Sequence, residues 1–510
     1  MESQNDVNQQ LHSVLSRILE AGYQIDAETL KTMRELSLQG ILDETIENTL
    51  YKVAKQDQRP LFLSRGLLEA SKPSPEILTE NRMEGTSNRP EPYAKQIESQ
   101  LEILKDPGNE TGVVKDKDAL MQYFKDRFSR ISSIFRQRSD TRTAVSIEEA
   151  LKAPPRIRNK IICMITEKRE RPRSLSLTVE DADSQVTVFI STFSDRSILD
   201  KARSLFLDQI VCIEVSRTQG EFLRAHDFFN PDIPDRPQIG SEEEIYTVFM
   251  SDLHVGSKEF LSTSFNQFLK WINGNSEDPA LRRIAGRVKY LVIAGDIVDG
   301  IGVYPGQEKE LAIKDIHQQY AEASKLLAEI PSYVEIILIP GNHDATLQAL
   351  PQPSISRNYA EQILTQDNVT SLGDPAIVRL HGVDVIIYHG QSLNDVIGTV
   401  PGLTYQHLNE NITTIMRSLM KIRHLAPTYG GRTPIIPQIH DNLVIEKAPN
   451  ILHCGHLHVA GYEMYRGTLL LNSGTWQTQT KYMENMGVVP TPGIVPIVNM
   501  KTFAVLPLKF

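Results

Sequence analysis

The sequence predicts a multidomain chain of three folded parts: a small helical N-terminal module, a small closed β-barrel, and a layered α/β domain that fills the C-terminal half. Three observations predict it. A length of 510 residues allows roughly three domains. Short apolar runs separated by polar turns crowd between residues 143 and 240, whereas from Ile245 onward apolar runs alternate with helical patterns. A polar, Pro-rich stretch divides the first part from the second.

Residues 1–70 read as the helical module. Leu11, Val14, Leu15, Ile18 and Leu19 recur at the three- and four-residue spacing of one helix face, and Asp26 stands where it can cap a second helix. Residues 71–115 read as a flexible polar linker, because SKPSPEILTENRMEGTSNRPEP carries Pro73, Pro75, Pro90 and Pro92 and almost nothing large and apolar. Residues 116–240 read as a barrel domain with a leading helix. Leu120, Phe124, Phe128, Ile131 and Phe135 share one helical face. The runs IICMI, SLSLTV, VTVFI, IVCIEV and GEFLRA then supply five short strands, which suits an OB-fold. In residues 245–510 the strands YTVFM, YLVIAG, EIILIP, DVIIYH, NILHCG and LLLNSG alternate with helices such as those around Phe265, Phe268, Leu269 and Ile272 and around Ile316, Tyr320, Ala323 and Leu327. That alternation predicts a layered α/β domain whose ligands sit beyond the strand ends.

The chain carries 54 Lys and Arg against 64 Asp and Glu, a net charge of −10, which argues against attraction to nucleic acid along its whole length. From Lys115 to Arg173, however, sixteen Lys and Arg face eight Asp and Glu. That segment could touch phosphates or could be a solvated face, and composition leaves both open. No apolar run approaches the roughly 18 residues that span a bilayer, and the start MESQNDVNQQ lacks a signal-peptide pattern. The expectation is an intracellular protein without a membrane partner. Cys163, Cys212 and Cys454 are an odd, widely spaced set, which supports neither a disulfide framework nor a thiolate zinc site.

The chemistry follows the strands. SDLH at 251–254, GD at 295–296, GNHD at 341–344, YHG at 388–390 and GHLH at 455–458 each come directly after an apolar run, so all five should converge on one sheet edge. Asp252 and His254 are two apart, so on an extended segment they point the same way, and His456 and His458 repeat the device. Asp296 can bridge two ions, while Asn342 and His389 add a neutral oxygen and an imidazole. Mixed oxygen and nitrogen ligands suit Mn²⁺, Fe²⁺, Zn²⁺ or Ni²⁺. Two such ions roughly 3.5 to 4 Å apart polarise a phosphoryl oxygen and neutralise charge in an in-line displacement, which is phosphoester hydrolysis. His343 projects differently from the adjacent Asn342 and can donate a proton to the leaving oxygen. Gly295, Gly341, Gly390 and Gly455 allow the tight turns. Asp299 and Asp344 suit either orienting the ligands or capping turns. His453 belongs inside its strand, the remaining histidines read as surface or structural groups, and Trp271 and Trp476 read as core.

At these motifs the sequence resembles the calcineurin-like metallophosphoesterases, in the branch that includes the double-strand-break-repair nucleases, over residues 245–510. The resemblance implies Asp252, His254, Asp296 and His458 around one metal, Asp296, Asn342, His389 and His456 around the other, and His343 in the catalytic position. The order of parts, with DGIGVYPGQ at 299–307, RHLAPTYGGRTPIIPQ at 423–438 and the closing TPGIVPIVN, is similar to the small subunit of archaeal family D DNA polymerases. It is weakest before about residue 115. It implies a metal-dependent 3′–5′ proofreading exonuclease with two divalent ions, Mn²⁺ expected first. The implied partners are a large catalytic polymerase subunit and DNA, as single strands or 3′-mismatched primer ends, and the implied location is the cytoplasm at the nucleoid. Related small subunits of eukaryotic replicative polymerases have lost metal ligands, whereas all seven stand here. Two alternatives remain open at this point: a non-catalytic assembly subunit, and a stand-alone metallophosphoesterase or repair nuclease.

Overall fold

The computed structural model describes residues 91–109, 117–172, 174–191, 196–218 and 222–510, together with residues 14–15, 18, 24–25, 27–38, 42, 45–46, 49, 62–63, 67–68 and 71. Contacts divide the chain into two compact units, Met1–Pro90 and Glu91–Phe510. In the first unit, a helix spans Ala27–Leu38, and Val14, Ile18, Met33, Leu36, Leu42, Ile46 and Leu68 bury one another in a small core. Gln24–Ile25 and Phe62–Leu63 pair in parallel, a feature the helical expectation did not contain. The expected cap Asp26, the face residues Leu11 and Leu19, and almost all of the expected linker up to residue 90 lie outside the described residues.

In the second unit the expected linker ends earlier than residue 115. Leu101–Lys105 is a strand, β1, with Ile103 paired to Val378 at the edge of a sheet. The pattern LEILK conceals it, because on this edge its middle residues are exposed rather than alternating. The helix Lys117–Arg136 follows. Its most buried line is Tyr123, Arg127, Ile131 and Phe135, while Phe124 and Phe128 are only partly buried. The expected apolar face is therefore rotated by about one residue to admit a buried arginine.

Five strands then close a barrel: β2 (Arg158–Arg171), β3 (Ser174–Glu180), β4 (Gln185–Ser191), β5 (Ile210–Arg217) and β6 (Leu223–Phe229), in the order β2-β3-β4-β6-β5. Strict alternation in β3 turns Leu175, Leu177 and Val179 inward, and β4 matches it with Val186, Val188 and Ile190.

The remaining strands form two six-stranded sheets. The first is ordered β10-β9-β8-β7-β16-β17. It comprises β7 (Tyr246–Met250), β8 (Val288–Ala294), β9 (Glu335–Ile339) and β10 (Val369–Ser371), all parallel, with β16 (Ile494–Asn499) and β17 (Val505–Lys509) antiparallel on one edge. The second is ordered β14-β15-β13-β12-β11-β1. It is built from β11 (Ala376–Leu380), β12 (Val383–Ile387), β13 (Ile451–Cys454), β14 (Ala460–Tyr465) and β15 (Thr468–Ser473). In it β12, β13 and β15 are mutually parallel.

Alternate residues explain the layering. Phe249, Val292 and Ile337 from the first sheet share one apolar core with Val385, Ile451 and Leu471 from the second. The opposite faces carry helices: Phe265, Phe268 and Tyr320 cover Val248, Leu291 and Ile336, and Ile412, Met416 and Leu419 cover Ile386, Leu452 and Leu470. Residues of both parities in the central strands are buried, as in Val288–Ala294, which is why those runs read as continuous rather than alternating. Trp271 and Trp476 are core residues, as expected. Cys163, Cys212 and Cys454 are buried free thiols. Among the described residues no helix is long and apolar enough to cross a membrane.

Candidate metal centre

The five motifs leave the carboxyl ends of five parallel strands. Asp252 follows β7, Asp296 follows β8 and Asn342 with His343 follows β9 in the first sheet, while His389 follows β12 and His456 with His458 follows β13 in the second. The convergence is therefore real but spans two packed sheets rather than one. The reason for side-chain alignment also differs from expectation. Asp252, His254, Asp296, His456 and His458 all have left-handed backbone, with φ between 51° and 67°, so tight turns and not an extended strand aim them inward. That conformation is costly for non-glycine residues, and strain of this kind concentrates at functional sites. The glycines are equally constrained: a Cβ on Gly295 would stand 2.7 Å from His389 Nδ1, and one on Gly455 would stand 2.5 Å from Asp252 Oδ2.

All seven expected ligand side chains meet. Asp252 Oδ1 lies 3.3 Å from His458 Nε2 and 3.9 Å from His254 Nε2. Asp296 Oδ2 lies 3.8 Å from His254 Nε2 and 3.3 Å from His389 Nε2, which places this carboxylate between the two groups. Asn342 Oδ1 is 3.0 Å from His389 Nε2. Asp252 with His254 and His458, and Asp296 with His389 and His456, form clusters whose ligand atoms are mutually within 4.8 Å.

Two pairs of imidazole nitrogens face one another, His254 Nε2 and His458 Nε2 at 3.1 Å and His389 Nε2 and His456 Nδ1 at 3.2 Å. Each such pair can share one proton between its facing nitrogens, and a divalent cation in that place turns both nitrogens into ligands. With bonds of about 2.1 Å, two nitrogens about 3 Å apart subtend near a right angle at one ion, so the spacing fits. The donor set thus suits divalent metals. Partners behind the rings set their tautomers: His254 Nδ1 donates to Asp299 Oδ1 at 3.0 Å, His389 Nδ1 donates to the Ala294 carbonyl at 2.8 Å, and His456 Nε2 lies 2.7 Å from the Asn394 amide.

Asp299 and Asp344, left with two readings each by the sequence, separate here. Asp299 orients His254 and also accepts from Gln477 Nε2 at 3.1 Å. Asp344 accepts from the Gly341 and Ile297 amides and the Tyr320 hydroxyl, so it braces the turns. Asp299, His254 and His343 are themselves close enough to suggest a third cluster. Asp299, however, is engaged as described, and His343 Nδ1 donates to its carbonyl at 2.7 Å.

Burial opposes charge throughout, and neighbours decide the outcome. Buried Asp296 is held well below the usual carboxylate range by His389 and His343, and Asp252 is lowered by His458 and His389. Burial also works against His389, but the Asp296 carboxylate raises it to about 10, so without an ion a proton holds this place. Burial and the His389 charge push His456 down to about 3.

His254, Asp296, Asn342, His343, His456 and His458 floor a cavity of about 360 Å³. On one wall Tyr304 and Tyr482 stack, with ring centroids 5.3 Å apart. On another, Arg432 reaches the Tyr405 hydroxyl at 3.3 Å, which donates to Asn394 Oδ1 at 2.9 Å. Tyr304, Tyr482, Tyr405, Asn394, Arg432 and Gln477 carry no sequence signal that marks them as site residues. None of them adjoins a strand-end motif; only Tyr304 and Arg432 fall within segments singled out for other reasons.

The family model for the B subunit of DNA polymerases alpha and epsilon matches residues 247–461, the span that holds every ligand candidate. The DNA polymerase II small subunit of Archaeoglobus fulgidus is 35% identical over 492 residues, 95% of this chain and 95% of its own. That of Pyrococcus furiosus is 38% identical over 409 residues, 79% of this chain and 66% of its own, so this chain spans about two thirds of that relative. Among solved structures, an archaeal phosphodiesterase aligns with 52% of this chain at 13% identity and a TM-score of 0.26. On the similarity that runs through both chains nearly end to end, this protein belongs to the archaeal DNA polymerase II (family D) small subunits.

Proposed function

We propose that this polymerase small subunit is a metal-dependent 3′–5′ DNA exonuclease that proofreads for a large catalytic subunit. In this reading residues 245–510 are a calcineurin-like phosphoesterase domain, residues 116–240 an OB-type domain, and residues 1–70 a helical module. The observation that carries the activity is the meeting of Asp252, His254, Asp296, Asn342, His389, His456 and His458 in one cluster, five of them on strained backbone, beside a cavity lined by His254, Asp296, Asn342, His456 and His458. These residues would hold two divalent ions, Mn²⁺ first among the candidates, which would supply Lewis acidity at the phosphoryl group and a nucleophilic water. Asp296 would serve both ions, since its Oδ2 lies 3.8 Å from His254 Nε2 and 3.3 Å from His389 Nε2. His343 bonds backward through Nδ1, which leaves Nε2 to give a proton to the leaving 3′ oxygen of the penultimate nucleotide. The stacked Tyr304 and Tyr482 offer a face to a nucleobase, which favours a nucleic-acid strand over a small phosphomonoester.

The test uses a 5′-labelled primer–template with a 3′ mismatch, Mn²⁺, and the protein alone or with its large subunit, compared with Asp296→Ala. Shortening from the 3′ end that Asp296→Ala lacks supports the reading. No shortening in either setting transfers the chain to an assembly role. Faster hydrolysis of a small phosphomonoester than of DNA, without a large partner, makes it a stand-alone phosphoesterase.

A further inference from the structure

A second and larger cleft, about 1590 Å³, opens between the barrel, the helix Lys117–Arg136 and the helix Leu408–Ile422, and shares no lining residue with the metal cavity. Its own carboxylates are engaged. Glu446 pairs with Arg130 at 2.8 Å, Asp140 with Arg138 at 2.7 Å, and Asp232 accepts from the Tyr465 hydroxyl at 2.8 Å with Arg466 at 3.7 Å. Asp200 is reached by Arg196 and Arg203 at 3.9 Å.

Arg423 has no such partner. It ends the helix Leu408–Ile422 in left-handed conformation with φ of 58° and is 4% exposed. Its Nη2 donates to the Glu446 carbonyl, but its buried Nε and Nη1 have no acceptor among the described residues. Arg236 Nε is likewise buried without an acceptor, and Lys421 on the same wall makes no ion pair among the described residues. Burial pulls the Arg423 guanidinium down to about 10, the Asp232 carboxylate opposing and the Arg236 charge adding, so it still carries its proton at neutral pH. A buried cation with idle donors is costly unless an anion meets it.

We propose that this cleft is an oxyanion site for a phosphoryl group, anchored by Arg423 and completed by Arg236 and Lys421. Three cations without carboxylates of their own suit a group with close to two negative charges and three acceptor oxygens better than a single carboxylate. The phosphoryl group can belong to a free ligand or to the terminal phosphate of a nucleic-acid strand. The inference does not depend on the nuclease reading.

The full chain, stripped of metal so that the other cavity does not compete, is titrated calorimetrically with pyrophosphate at constant ionic strength. Saturable binding is expected, weakened at least tenfold in Arg423→Gln. That variant, without ligand, should melt no lower than the parent, because it removes an uncompensated buried charge. If Arg423→Gln does not fold, the double variant Arg236→Gln/Lys421→Gln should show the same loss. A 5′-phosphorylated single-stranded oligonucleotide that displaces pyrophosphate makes the strand terminus the source of the phosphoryl group; one that does not makes it a free ligand. No saturable binding, binding unchanged in both variants, or tighter binding of polyglutamate than of pyrophosphate would overturn the proposal.

Discussion

Asp296 and His343 sit 47 residues apart in sequence, and the His343 amide donates to Asp296 Oδ1 at 2.8 Å, so the carboxylate proposed to bridge the ions and the proposed proton donor are held as one piece. Their replacement should nonetheless separate. His343→Ala is expected to retain its metals while exonuclease activity falls by roughly 10² to 10⁴, the range for loss of a general acid; metal analysis beside single-turnover rates checks both halves, and a metal-free variant would make His343 a ligand. Tyr482, 53% exposed and stacked on Tyr304, should matter to strands and not to chemistry. Tyr482→Ala is expected to raise KM for single-stranded DNA about tenfold, since a stacked base contributes about 1–3 kcal/mol, while hydrolysis of a small phosphodiester stays unchanged. At this scale residue types were legible in the sequence, but their geometry was not. The GHLH and SDLH spacings pointed to paired ligands, yet the alignment comes from left-handed turns that no two-residue periodicity describes.

At the scale of elements, the helix Lys117–Arg136 is fastened by one side chain. Arg127, 1% exposed, contacts Asp441 through Nε at 2.5 Å and donates to the Pro427 carbonyl at 2.6 Å and the Asp208 carbonyl at 3.2 Å, with Tyr123 at 3.0 Å. It thereby joins the helix, the barrel and the loops beside the second sheet. Arg127→Met should cost about 3–5 kcal/mol, because it leaves Asp441 buried and charged without its main partner; chemical denaturation reads this directly, and a loss under about 1 kcal/mol would contradict it. The same network predicts a pH dependence. His424 donates through Nε2 to Asp441 at 2.9 Å and accepts the Ala426 amide at Nδ1, so it is held neutral. Burial and the Arg127 charge lower it to about 4. Its unfolded value is about 6.5, so the unfolded state binds the extra proton first. Stability from this group is full above about pH 6.5 and is lost as pH falls toward 4, by at most about 3 kcal/mol. The denaturation midpoint should drop across that window, and the drop should shrink in His424→Gln. Asp441 acts at lower pH, below the ordinary carboxylate range, because its partners depress it far further. None of this was legible in advance, since apolar periodicity cannot mark an arginine as buried and its acceptor lies 314 residues away. The edge strand Leu101–Lys105 was missed for a related reason: its partner is remote and its middle residues face solvent.

At the scale of the whole molecule, membership of the polymerase small subunits makes the candidate metal centre part of a chain that works with a large catalytic subunit. Asp296→Ala in the assembled polymerase is expected to leave primer extension on matched DNA intact while misincorporated 3′ ends persist, because this carboxylate, close to ligand candidates of both clusters, lies in a cavity lined by residues after Ile245. An extension assay from matched and mismatched primers decides this, and equal loss of both would mean that Asp296 supports assembly.

What the sequence determined by itself is what local pattern carries. Strand-forming apolar runs, the ligand types at their carboxyl ends, the five barrel strands and the core tryptophans all depend on neighbours within a few residues, and the motif order was enough to suggest the family. The tertiary structure decided what depends on distant partners. It packed two sheets face to face so that candidate ligands from both share one cavity, turned five of those candidates into left-handed backbone, set Asp299 behind His254, and placed Arg127 and Arg423 in the interior with opposite outcomes. Arg127 found a carboxylate there and Arg423 did not, and no feature of the local sequence around either one distinguishes them, because the compensating charge is supplied only by the fold.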